Sequence, residues 1–149
     1  MILKTVQFLA LILTALALAP VAAHLFSLHN KISLPAAQYI VVQSIYRGWS
    51  LFGFVLIPAI VMNLLLAAML RGRGISFLLA VVAFLCMATT LASFFIWVYP
   101  ANVATDNWST IPADWESLRA QWEYTHAANA IITFIALCAV AFSILTGKE

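Results

Sequence analysis

The residues best equipped for chemistry gather between Trp97 and His126, in the stretch WVYPANVATDNWSTIPADWESLRAQWEYTH. It holds four of the five tryptophans and four of the five acidic residues in the chain. Trp115, Arg119, Trp122 and His126 fall at i, i+4, i+7 and i+11, a spacing that puts them on one helix face. Asn129 and Thr133 continue that face. Upstream, Tyr39, Gln43, Tyr46 and Ser50 repeat the spacing. Two such stripes on neighbouring helices could line one chamber. The competing reading is an interfacial belt, where Trp and Tyr collect anyway, although a belt has no need of Arg, Gln and His on its aromatic face. His126 suits a general acid or base, because imidazole titrates near neutral pH and Glu123 could orient it. Glu116, Arg119 and Glu123, at i, i+3 and i+7, read first as a surface ion-pair ladder, with Arg47 a further partner for either glutamate.

Metal chemistry has weaker support. His24, His29 and His126 could together bind one copper or zinc ion, or His24 and His126 could ligate a haem between two helices. Neither arrangement has a spacing motif behind it, so no cofactor is expected, with haem or copper as the alternative. Glu123-x-x-His126 matches the Glu-x-x-His element of di-iron bundles, but that site needs a second such element and two more glutamates. Outside it only Glu116 and Glu149 remain. Cys86 and Cys138 sit singly inside apolar runs and read as small buried hydrophobes.

The elements that must position these residues follow from composition. Of the 149 residues 65% are hydrophobic and only 8% charged, and mean hydropathy is +1.05. A soluble domain carries about 25% charged residues, so this chain cannot cover a water-facing surface and must lie in a membrane. A net charge of +2 is too small for nucleic-acid binding. Crossing ~30 Å of hydrocarbon takes about 20 helical residues, and four segments qualify: about 5–25, 48–70, 75–98 and 127–146. Their backbones must be satisfied internally, which predicts an all-α, polytopic four-helix bundle as a single membrane domain. The first segment, with Lys4 and its Ala-rich end, also resembles a signal peptide, but its apolar run continues to Phe26 and it reads as a retained helix. The segments 36–47 and 112–126 read as extensions of the second and fourth spans, facing each other as a small cap. Lys4, Arg71, Arg73 and Lys148 place both termini and the second connection in the cytoplasm, with the cap outside, and the expected location is a bacterial inner membrane; on the outer face the Asn107-Trp108-Ser109 sequon goes unused.

The same residues carry a family resemblance. Tyr99-Pro-Ala-Asn102, Asn107-Trp108, Pro112-Ala-Asp-Trp-Glu116, Arg119-Ala-Gln-Trp-Glu-Tyr-Thr-His126 and Gln43-Ser-Ile-Tyr-Arg-Gly-Trp49 resemble the anthrone-oxygenase-like small membrane proteins, over nearly the whole chain. The resemblance implies an oxidation of anthrones to anthraquinones by molecular oxygen, without added cofactor. It also implies that Asn102, Trp108, Trp115, Arg119, Trp122 and His126 form a polar and aromatic signature. An anthrone is flat, apolar and acidic at a benzylic carbon. Its site needs aromatic walls (Trp115, Trp122 and Tyr46, with Gln43 and Trp108 as further binding residues), a base (His126) and donors for the developing oxyanion (Asn102 or Arg119). Two other readings stay open: a non-enzymatic partner subunit or lipid-interacting protein, alone or as a homo-oligomer, and a haem or copper protein.

Overall fold

The computed structural model describes residues 1–147. Lys148, one of the orientation charges, and Glu149 lie outside the described residues. Six α-helices run in order: α1 (Ile2–Lys31), α2 (Ala36–Gln43), α3 (Gly53–Met69), α4 (Ile75–Ser93), α5 (Tyr99–Ala104) and α6 (Trp115–Leu145). No strand occurs among the described residues. Four continuous helical stretches, Ile2–Lys31, Trp49–Met69, Ile75–Ala104 and Trp115–Leu145, are long and apolar enough to cross a membrane. The protein is an all-α, integral membrane helical bundle.

Packing explains the sequence pattern. α6 packs against α1 and α4, and α3 packs against the same two helices, so the four long helices close a ring. The faces turned inward are small: Ala10, Thr14 and Ala17 on α1, Ala80 and Ala83 on α4, Ala130 and Ala136 on α6. The bulky side chains point out, among them Phe8, Phe54, Phe134 and Leu145, each more than half exposed. This reverses a water-soluble core. It is what lipid demands, because apolar side chains gain nothing by leaving lipid, while small ones let backbones approach. Polar rungs tie the ring together. Asn63 Nδ2 donates to Thr14 Oγ1 at 2.9 Å, and Ser143 Oγ donates to the Ser76 carbonyl at 2.8 Å.

At the end away from the α3–α4 link, the elements differ from the sequence reading in three places. First, α1 does not stop near residue 25. Nothing between Ala23 and Lys31 breaks a helix, and the chain turns only before Pro35, where the preceding residue is pushed out of the helical region. His24 and His29 therefore lie on α1 and not in a connection. Second, residues 36–47 do not extend the second span continuously. A 3₁₀ turn at Ser44–Tyr46 leads to extended backbone at Arg47 (ψ 130°) and a left-handed Gly48 (φ 82°), then a second 3₁₀ turn at Trp49–Phe52. Glycine reaches that φ without a Cβ clash. Third, the third span continues beyond residue 98 to Ala104 through a π-turn at Phe94–Val98. Pro100 accounts for it. Proline has no N–H to give the Ile96 carbonyl and its ring crowds that oxygen, so the chain widens ahead of it and Tyr99 N–H bonds Phe94 O.

The extension of the fourth span is continuous, though it begins at Trp115 and Pro112 stays in the preceding turn, its carbonyl accepting from Trp115 N–H. Before it comes an unusual loop. Asp106, Asn107 and Trp108 all take positive φ (46°, 52° and 62°). Asp and Asn tolerate this region, whereas a bulky Trp rarely enters it. The loop is held by Asn107 N–H to Asn102 O (2.7 Å), Trp108 N–H to Thr105 Oγ1 (3.1 Å) and Thr110 N–H to Thr105 O (3.0 Å). Trp108 is thereby buried under the cap.

Candidate functional site

The cap end encloses a charged cluster. Lys31, on the last turn of α1, and Glu123, on α6, are 3% and 0% exposed at their side chains, and Lys31 Nζ lies 2.9 Å from Glu123 Oε2. A buried pair of this kind is costly, because both ions leave water and each must be compensated. The compensation is visible. Tyr39 Oη donates to Glu123 Oε1 at 2.9 Å, and Gln43 Nε2 donates to Tyr39 Oη. Lys31 Nζ donates to Tyr46 Oη at 3.0 Å and lies 3.5 Å from His24 Nδ1. It also sits over the Tyr46 and Trp122 rings, 4.7 and 5.5 Å from their centroids, a favourable place for a cation. Tyr39 lies on α2, outside the spanning helices. Burial pushes its phenol above the ordinary value, and the Glu123 carboxylate beside it pushes the same way, so it stays a proton donor.

Aromatic rings surround the ion pair. His24 and His126 stack, with centroids 4.2 Å apart and planes 23° from parallel. Trp122 stands edge-on to both, at 4.8 and 4.3 Å, and Trp122 Nε1 donates to Asn102 Oδ1 at 2.9 Å. Trp108 meets Tyr39 at 5.1 Å and Trp122 at 5.9 Å. Arg119 lies over Trp115 at 4.4 Å and Tyr39 at 5.5 Å while Nη1 donates to the Leu34 carbonyl at 2.7 Å, which fastens α6 to the α1–α2 turn. Trp49, from the far side of the Gly48 break, closes on Tyr46 and His24 at 4.8 and 5.7 Å.

Gln43, Tyr46, Asn102, Trp108, Trp115, Arg119, Trp122 and His126 therefore all lie in one connected cluster, and His24 joins it. His29 does not. It is exposed, five residues further along α1 than His24, so the three histidines do not assemble, and no group of three metal-binding side chains occurs among the described residues. The stacked His24 and His126 rings leave no room for a haem between them. Glu123 is engaged by Lys31 and Tyr39, and the ladder partners assigned from spacing change: Lys31 takes the place given to Arg47, and Glu116 is exposed. Ser50, the last member of the second stripe, is exposed as well.

Lys31 is the residue that spacing missed as a member of the site; Tyr39 stood in the second stripe without an assigned role. The available signal was periodic. His24 and Lys31 stand at i and i+7 and share a face of α1, which shows only once the helix is carried past residue 25.

One property sets this cluster apart. Six buried side-chain atoms among the described residues have no hydrogen-bond partner, and five belong here: Gln43 Oε1, Trp108 Nε1, Arg119 Nε, Glu123 Oε2 and His126 Nδ1. Glu123 Oε2 is nevertheless paired by charge with Lys31 Nζ at 2.9 Å, which leaves four of the five without any partner. Orphaned buried groups are rare and each costs about 1–3 kcal/mol. Donors and acceptors clustered in this way suit a polar ligand or a proton path better than they suit packing. The fold and cluster define a small integral membrane bundle with a charged, aromatic site under its cap. No family model, curated protein or solved structure matches the chain.

Proposed function

We propose that the cap-end cluster is an oxidoreductase site for a flat, apolar substrate with an acidic benzylic C–H, the anthrone type, and that the chain is an anthrone-oxygenase-like membrane protein. The observation that carries this reading is the concentration of unpaired buried donors and acceptors around a buried ion pair walled by tryptophans. The chemistry needs little else. His126 Nδ1, a buried ring nitrogen with no partner, takes the benzylic proton in the tautomer that leaves it unprotonated. The Lys31 ammonium and the Arg119 guanidinium stabilise the oxyanion of the resulting enolate, for which Asn102 is the further donor. The electron-rich carbon reacts with dioxygen to give a hydroperoxide, which loses water: R₂CH₂ + O₂ → R₂C=O + H₂O. Tyr46, Trp115 and Trp122 wall the ring system, and Gln43 and Trp108 offer it hydrogen bonds. The residues that move to admit it are Tyr46 and Trp49, half-buried and flanking the Arg47–Gly48 break.

A second reading rests on a different observation. The rings already touch one another at 4.2–5.9 Å, as in a packed plug, which suits a non-enzymatic membrane component whose cluster locks the cap. Oxygen uptake with anthrone in proteoliposomes separates the two. The enzymatic reading expects uptake above the protein-free rate that falls at least tenfold in His126→Ala; no uptake above that rate leaves the plug. For topology, Lys4, Arg71 and Arg73 at the end opposite the cap support cytoplasmic termini in a bacterial inner membrane. An impermeant thiol reagent applied to intact cells should label Ser109→Cys and spare Arg73→Cys; the reverse pattern inverts the orientation.

A further inference from the structure

The π-turn shapes a second feature, on the other side of α6 from the ion pair. A groove of about 740 Å³ runs between α4 and α6, from Ser117 near the cap to Ile132 within the span. By helix rise that is ~22 Å, and the volume lies within the usual range of about 300–1,000 Å³ for small-molecule sites. Most of its lining is apolar, but a few neutral polar groups are set into it. Asn129, 4% exposed, accepts from Ser93 Oγ at 2.7 Å through Oδ1, which leaves its amide N–H groups for the groove. Gln121 Nε2 donates to the Trp97 carbonyl of the π-turn at 2.7 Å, which leaves its own carbonyl oxygen as an acceptor. Ser117 and Tyr124 add hydroxyls, and Trp97, 46% exposed, and Tyr124 supply aromatic faces.

We infer that this groove is a bilayer-accessible binding site for an uncharged quinone-type ring carrying an apolar tail. Three features select that class. No charged side chain lines the groove, so a phosphate headgroup finds no counter-charge there. Neutral donors and acceptors at membrane depth match ring carbonyls or hydroxyls, since a polar group in hydrocarbon is costly unless paired. The aromatic faces near the cap suit a flat ring, while Ile132 and the open lipid side accept the tail. The site is distinct from the ion-pair cluster, and this inference stands independently of the oxidation proposed there.

The test uses the full chain in lipid nanodiscs and a benzoquinone carrying a decyl tail, read by quenching of tryptophan fluorescence. Wild type should show saturable quenching. Ala128→Trp, which fills the groove from an exposed position without removing a hydrogen bond, and Asn129→Leu should each weaken it at least tenfold. Phe54→Trp, on the lipid face of α3, and His126→Ala should leave it unchanged. Quenching that rises without saturation overturns the inference, as does equal affinity in Ala128→Trp. Displacement of the quinone by added diacyl phospholipid also overturns it, because the occupant is then a lipid chain.

Discussion

Lys31 and Glu123 set the energetics of the cap. Breaking a buried pair by removing one partner leaves an uncompensated charge, at a typical cost of about 3–5 kcal/mol. Lys31→Met should therefore lower thermal stability sharply in detergent, while Lys31→Met combined with Glu123→Gln should recover most of the loss. Additive effects in that cycle would show the two side chains to be uncoupled. Tyr39 contributes a hydrogen bond to the carboxylate, and Tyr39→Phe should cost about 1.5–3 kcal/mol. Its raised phenol pKa fixes a sign. The unfolded phenol loses its proton near pH 10, at about the model value, and the native one only at higher pH. That stability is complete below pH ~10 and is lost as pH rises above it. A melting series from pH 8 to 11 should show a shallower alkaline decline in Tyr39→Phe than in wild type. Part of this was legible beforehand. The one-face spacing of Trp115, Arg119, Trp122 and His126 gathered four members of the cluster, because α6 is one uninterrupted helix. Lys31 was not legible, since a lysine after an apolar run reads as a solvated end and its partner lies 92 positions away on another helix.

At the scale of elements, breaks in the helices position the site. The Arg47–Gly48 break turns Tyr46 and Trp49 towards His24, and the left-handed run at Asp106–Trp108 turns an indole under the cap. Asn107 holds a positive φ, so Asn107→Gly should be neutral or stabilising by up to about 1 kcal/mol, whereas Asn107→Val should destabilise by more than that. Thermal melts of the two variants check this, and equal melting temperatures would mean that the loop relaxes without its left-handed turn. Hydropathy located the long helices, because lipid leaves a chain few alternatives. It did not locate the breaks. The α2–α3 region has good helical pattern throughout, and only Gly48 marks the interruption. Likewise Pro100 signals a disturbance at the end of the third span without saying whether the helix stops or widens.

For the whole molecule, the bundle is built inside out, with alanine faces between helices and bulky side chains towards lipid. Ala136 is fully buried where α6 meets its neighbours, so Ala136→Leu should overpack the ring and cost about 1–3 kcal/mol, while Phe134→Leu on the lipid face should change the melting temperature little. This close packing lets the chain hold a buried ion pair and its unpaired polar atoms at one end, with a neutral groove on the far side of the same helix. We propose that the cap-end cluster performs base-assisted oxidation. Its most direct test is oxygen consumption by proteoliposomes supplied with anthrone, wild type against His126→Ala, with both proteins confirmed as folded by their melting curves. The account predicts uptake above the protein-free rate, matched by anthraquinone formation, and a loss of at least tenfold in His126→Ala. Uptake equal to that of protein-free vesicles, or equal in the two proteins, would contradict it.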